Sequence, residues 1–296
     1  MPLSGPEPAG AGALVSGLVL RAAGVGLLGG LVAFVFARIF AEPLIQQAID
    51  YEGGRGEAEA ALAAAAGEPV GAEGSELFSR AVQGNVGIGV GIILFGLAVG
   101  CFFGVAYCLA YGRVGRVSAR QLSLLVAGGG FLVLFLVPFL KYPANPPAVG
   151  NDATIAQRAG LYGVMVVACL VFGAAAIWLG QRLAPRFGTW NATLLAGLAF
   201  VVVIGLVMVL LPPLGSLSAN AGEVGPALTE TPQPLRDPSG AIVFPGFDPD
   251  LLYYFRLYSV MAQALLWGVI GVAFAPLAER LLARSGVDDR QGTPAV

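Results

Sequence analysis

Polar residues along this chain are confined to short intervals. Between them run six stretches with hardly a charge: residues 17–40, 85–111, 122–140, 160–180, 191–211 and 257–277. About 20 apolar residues in helical form cross the hydrocarbon of a bilayer. A backbone surrounded by lipid must satisfy its own hydrogen bonds, which a helix does within one segment and an open strand does not. The pattern therefore predicts an all-α polytopic membrane protein of about six transmembrane helices, forming one domain over residues 17–280. Residues 1–16 read as a disordered N-terminal tail, without the basic n-region of a cleaved signal peptide. Residues 281–296 read as a disordered cytoplasmic tail.

Composition agrees with the pattern. Charged residues make up 11% of the chain and hydrophobic residues 57%, with a mean hydropathy of +0.80, whereas soluble domains carry about 25% charged residues. There is no histidine, which excludes His-ligated haem, His-based zinc sites and His acid–base catalysis. Cys101, Cys108 and Cys169 lie inside apolar runs without metal-ligand spacing and read as small buried hydrophobes. The single lysine, Lys141, lacks the glycine pattern of a nucleotide-binding loop. No span carries a carboxylate pair, a Ser–Lys dyad or a Cys–His arrangement, so the chain does not read as an enzyme.

Charge sets the orientation. GRVGRVSARQ contains Arg113, Arg116 and Arg120, QRLAPRFGTW contains Arg182 and Arg186, and Arg280, Arg284 and Arg290 follow the last stretch. Short basic loops stay in the cytoplasm, which places both termini inside. Of the 18 acids, 14 then fall in the three outer loops. Such a face concentrates cations near the membrane, although longer loops also simply hold more polar residues. The outer loop over 213–250, rich in Pro, Gly, Ser and Thr, is predicted to be irregular.

Small residues four apart let helix backbones approach closely. Gly26 and Gly30 in the first stretch, and Gly87, Gly91, Gly96, Gly100 and Gly104 in the second, are predicted as packing faces. Two polar segments stand out. In FARIFAEPLIQQAIDYE, Arg38 and Glu42 are one turn apart. They mark a helix end as an interfacial ion pair, or else Glu42, with Asp50 and Glu52, offers oxygens at an outer entrance. In VPFLKYPANPPAVGND, Pro138 frees the carbonyl of Leu134, and Pro143 and Pro146 force the residues before them towards extended geometry. Lys141, Tyr142, Pro143, Pro146 and Pro147 then form a stiff strip beside Asn145 and Asp152. It is either a rigid turn or the wall of an entrance.

FARIFAEPLIQQAI, YGRVGR, VPFLKYPANPPAVG and LGQRLAPRFGTWNATLLAG together resemble the CbtA family of probable cobalt transporter subunits. The likeness runs from about residue 21 to 211 and resumes at about 253–271. It implies a membrane subunit of a cobalt uptake system tied to cobalamin supply, with cobalt(II) as the transported ion and no bound cofactor. It also implies a small single-span partner with a histidine-rich segment. Co²⁺ accepts imidazole and oxygen ligands, and this chain has no imidazole to give. The resemblance carries no established binding residues. The expectation is a permease-like subunit of a divalent-cation importer in the cytoplasmic (inner) membrane. Glu42, Asp50, Glu52, Asn145 and Asp152 are the candidate metal donors, and Arg38, Lys141, Tyr142, Pro143, Pro146 and Pro147 the entrance wall or gate. The alternative is a non-transporting scaffold that assembles or stabilises a partner.

Overall fold

The computed structural model describes residues 9–67, 87–115, 117–220 and 229–285. Five helical stretches in it are long and apolar enough to cross a membrane: Gly12–Ala66, Ile88–Ala110, Ala119–Lys141, Asp152–Asn220 and Pro249–Arg284. The fourth is 69 residues long, far more than one crossing needs. Within it, helix α6 (Ile155–Leu210) breaks at Gly188, whose φ of 75° and ψ of 159° are not helical. A methyl group on Gly180 would touch the Cβ of Ala196 at 3.5 Å, whereas in a straight helix those positions stand about 24 Å apart. Met165 and Cys169 also share a buried cluster with Ile204. The chain thus doubles back at Gly188, and this turn separates the fourth and fifth of the predicted crossings within one helical stretch.

The other helices are α1 (Ala9–Phe36), α2 (Glu42–Ala66), α3 (Ile88–Ala110), α4 (Ala119–Gly130), α5 (Val137–Lys141) and α7 (Pro249–Arg284). A π-helical turn, Ala37–Ala41, joins α1 to α2, and another, Phe131–Leu136, joins α4 to α5. Since α1 begins at Ala9, residues 9–16 are helical and not a disordered tail. They are mostly apolar or small, and nothing in them stops the helix. The last helix ends at Arg284; the rest of the predicted C-terminal tail lies almost wholly outside the described residues, as do Arg116 and Arg290. The 213–250 loop is less irregular than its composition suggests. It contains a 3₁₀ turn (Leu214–Ser216) and an antiparallel hairpin of β1 (Leu235–Arg236) and β2 (Ile242–Phe244), with Leu235 paired to Phe244.

The chain divides into two compact units. The first comprises Met1–Phe40, Glu76–Phe131 and Val260–Val296. In it α1 and α3 meet along glycines: a Cβ on Gly96 would stand 2.5 Å from the carbonyl oxygen of Gly26, and one on Gly100 would press on Gly26 and Ala22. Gly30 abuts the backbone of Ile92 and Ile93, and Gly104 faces Val19 and Ala22. The predicted face is therefore real at Gly26, Gly30, Gly96, Gly100 and Gly104. It does not include Gly91, whose Cβ direction is open. Gly87 precedes α3 and is exposed. Gly89, against the ring of Phe34, contributes instead.

Aromatic rings fill the same unit. Phe103 and Tyr107 pack edge-on against Phe274 at 5.1 and 5.0 Å, and all three are 2% exposed or less. Ser118 opens α4 with a reciprocal cap: its hydroxyl accepts from Gln121 N, and Gln121 Oε1 accepts from Ser118 N. Buried Ser123 donates to the carbonyl of Gly271 at 2.6 Å, and Arg120 pairs with Glu279 at 2.5 Å.

The second unit comprises Ala41–Ser75 and Leu132–Ser259. Two clusters build it. Tyr142, Met165, Cys169 and Ile204 form one; Ala48, Val149, Phe247, Leu251 and Leu252 form the other. The hairpin docks on α2 through Tyr51, whose ring meets Phe244 and Phe247 and whose hydroxyl donates to Pro245 O at 3.0 Å. Large apolar side chains elsewhere are bare, Phe102 at 72% and Val209 at 81% exposed. Lipid is the solvent that tolerates them.

Candidate functional site

Prolines and glycines fix the backbone of the 141–152 turn. Pro138 has no N–H to give the carbonyl of Leu134, and the hydroxyl of Tyr162 reaches that carbonyl instead, at 3.4 Å. The freed carbonyl is thus met by the protein itself. After α5, residues 143–146 are neither helix nor strand. Ala148 (φ 66°) and Gly150 (φ 130°) then adopt left-handed conformations and turn the chain into the 3₁₀ turn Asp152–Thr154. Asn151 caps that turn by accepting from Ala153 N.

Three polar side chains strap this turn to distant backbone. Lys141 Nζ donates to the carbonyl of Leu211 at 2.8 Å, at the C-terminal end of α6, where a cation is favoured by the helix dipole. Tyr142 is 5% exposed and its hydroxyl donates to Pro212 O at 2.9 Å. Burial raises the pKa of that phenol. Arg256, on the first turns of α7, donates from Nη2 to Asn145 Oδ1 at 2.7 Å and from Nε to Ala144 O at 3.2 Å. Asn145 and its neighbouring carbonyl, expected to face a metal, are held by a guanidinium.

A second polar centre lies beside it. The Glu230 carboxylate is 1% exposed. Its Oε1 accepts from Thr154 Oγ1 at 2.8 Å and from Asn220 Nδ2 at 2.7 Å, while Oε2 has Arg158 Nη1 at 3.4 Å. Arg158 Nη2 reaches Asn151 O only at 3.5 Å. The guanidinium lies over Gly150, where any Cβ would collide with it, so that glycine is required for space as well as for φ.

Between these two centres is a cavity of about 400 Å³. Phe135, Phe139, Tyr142 and Pro143 make one wall; Ile155, Tyr162 and Leu214 make another; Asn145 and Arg158 supply the polar lining. Among the described residues no carboxylate lines it.

The predicted donors do not converge. Glu42 opens α2 half-buried, while Asp50 and Glu52 are exposed further along it, Asp50 accepting from Gln46 at 2.8 Å. Eight residues of helix separate Glu42 from Asp50 by about 12 Å, and Asp50 and Glu52 point about 200° apart. Asp152 is exposed in its 3₁₀ turn. Arg38 is exposed in the π-helical turn before α2. Among the described residues no three acidic or thiol side chains come together as a metal group. Sequence reasoning missed Arg158, Glu230 and Arg256 as site residues. Two of them carried a signal: Arg158 and Arg256 are basic residues at helix ends that the basic-loop rule assigns to the outside.

Comparison with known proteins gives one match. The family described as "Probable cobalt transporter subunit (CbtA)" matches residues 15–279. No curated protein and no solved structure matches the chain.

Proposed function

We propose a route of metal capture for a chain that belongs to the CbtA family of probable cobalt transporter subunits. Membership makes it a multi-pass membrane subunit of a cobalt uptake system, and in our reading it moves its cargo without converting it. The observation that carries this reading is the extent of the match, 15–279, which takes in every apolar window. In our reading the chain is the permease-like subunit, lies in the cytoplasmic membrane with both termini inside, and passes Co²⁺ inward to supply cobalamin synthesis. A small single-span partner with a histidine-rich segment provides the imidazole ligands.

The spacing on α2 decides how the carboxylates act. Groups about 12 Å apart cannot share one ion's inner coordination shell, for which oxygens stand little more than 2 Å from the metal. Glu42, Asp50, Glu52 and Asp152 therefore guide the ion as a field at the outer face, one group at a time. Asn145, engaged by Arg256, belongs to the wall with Lys141, Tyr142, Pro143, Pro146 and Pro147, not to the donors.

The test is labelled cobalt uptake in cells lacking the chain, then expressing it alone, with a small single-span histidine-rich partner, and as Glu42→Ala. The chain with its partner restores uptake, and Glu42→Ala lowers it several-fold at subsaturating cobalt. Uptake indifferent to the presence of the chain would end the importer reading; normal uptake by Glu42→Ala would end only the role of that carboxylate. One observation favours a scaffold instead, namely that no three-donor group is assembled among the described residues. A scaffold would leave uptake intact once the partner is stabilised by other means.

A further inference from the structure

The cavity between the strap and Glu230 is built for a different chemistry from the exposed carboxylates of α2. At about 400 Å³ it falls in the size range of sites for small organic molecules, and its walls are aromatic rings with Pro143, Ile155 and Leu214. Its charges are unequal. Arg158 lines it directly, Arg256 holds the Asn145 and Ala144 that line it, and the Lys141 ammonium lies 5.5 Å from the ring centre of Tyr142. Against these three cations stands one carboxylate, Glu230, which lies behind Arg158 and is already engaged by Thr154 and Asn220. Among the described residues a hydrated dication would find no oxygen anion on the lining.

Arg158 supplies the second observation. Its side chain is 26% exposed, and its polar contacts among the described residues are long, 3.4 Å to Glu230 and 3.5 Å to Asn151 O. Charge-assisted bonds of a guanidinium to a carboxylate normally close to about 2.7–2.9 Å and run in pairs. The fork at the cavity thus has donors left over.

We propose that this cavity is a binding site for a small organic carboxylate, with the carboxylate on Arg158 and an apolar or aromatic body against Phe139 and Tyr162. The amide of Asn145, fixed by Arg256, orients the bound molecule. The site needs no metal, although Tyr142, Pro143 and Asn145 of its lining also belong to the wall of the cobalt reading.

Three probes of one shape and different charge test it: labelled phenylacetate, 2-phenylethanol and phenethylamine. Each is dialysed to equilibrium against the full chain in lipid nanodiscs without metal. Phenylacetate binds at one per chain, about tenfold more tightly than the other two. Arg158→Gln abolishes that preference. Glu230→Gln, which keeps an oxygen for Thr154 and Asn220 but removes the competing charge, strengthens phenylacetate binding several-fold. Phe139→Ala weakens all three probes alike.

Equal binding of the alcohol would make the cavity an apolar hole for lipid tails, and tighter binding of the amine would make it a cation site; either overturns the proposal. Should Arg158→Gln fail to fold, the rise in Glu230→Gln is required on its own, and its absence overturns the proposal equally. Cobalt uptake measured on the same variants separates the two readings, because lost phenylacetate binding with unchanged uptake leaves transport untouched.

Discussion

In the first unit α1 and α3 touch backbone to backbone, because Gly26, Gly30, Gly96 and Gly100 present nothing but hydrogen to each other. In the second unit the contacts that organise the 141–152 turn run from the tips of long side chains to carbonyls and amides: Lys141 to Leu211, Tyr142 to Pro212, Arg256 to Ala144 and Asn145. Both solve one problem. Lipid tails are as apolar as leucine, so burial alone does not hold helices together in a bilayer. Close approach multiplies weak dispersion contacts, and hydrogen bonds tie specific points. The first solution makes a rigid seam along whole helices. The second makes a few pins, and it leaves a cavity between them.

The largest effect is expected where no rotamer can relieve a clash. Gly96→Ala places a methyl 2.5 Å from the Gly26 carbonyl and lowers stability by about 1–3 kcal/mol, even though alanine is the better helix former. Gly91→Ala, five residues earlier on the same helix with open space around it, gains about 0.5–1 kcal/mol from helix propensity. Thermal unfolding of both variants in the same detergent reads the opposite signs. Equal stability of the two would mean that the seam is not what holds α1 to α3.

Arg256→Ala acts on the pins. It leaves Asn145 Oδ1 and the Ala144 carbonyl without their donor, at a cost of about 1–3 kcal/mol. Proteolysis within 141–149 should accelerate while cleavage within α1 and α3 stays as slow as in the parent chain. Arg256→Lys, with a single donor nitrogen in place of a fork, should recover part of the protection. Uniform acceleration along the chain would show that Arg256 supports the whole bundle and not this strap.

The seam was legible and the pins were not, for a physical reason. Small residues at i and i+4 lie on one helix face, so spacing alone announced Gly26/Gly30 and Gly96/Gly100. It misjudged Gly91 because that residue stands five before Gly96, about 140° round the helix from the face that Gly96 and Gly100 share. The pins join residues 70 to 112 positions apart, and nothing local in KYPANPP says that Arg256 will sit on its asparagine. Proline chemistry was legible: Pro138 does free the Leu134 carbonyl. Its partner, Tyr162, was not, since a hydroxyl 28 residues away satisfies the group as well as any ligand. The break at Gly188 was visible as a polar interval between two apolar windows. Carboxylates were read from their side of the membrane, which groups residues by loop and not by distance. Glu230 passed as one acid among fourteen because burial is not a property of a loop's composition.

The smallest effect concerns the hairpin that docks on Tyr51, and it comes from pH. Asp237 Oδ1 accepts from Ser239 Oγ at 2.6 Å, Ser239 N at 2.9 Å and Ala241 N at 3.0 Å. The Ser239 hydroxyl and these amides hold the carboxyl below its ordinary value. Since the folded turn binds a proton less readily than the open one, the turn is favoured above the unfolded pKa of about 3.9, and that advantage is lost as pH falls through the folded value. Full exposure keeps the effect local. Amide exchange at Ser239 and Ala241, corrected for intrinsic rates, should therefore quicken between about pH 4 and the folded pKa. Asp237→Asn should show fast exchange without that step. Protection that persists in acid in the parent chain would mean that the Tyr51 contacts alone shape the hairpin, so that the second unit too is governed by packing at this point.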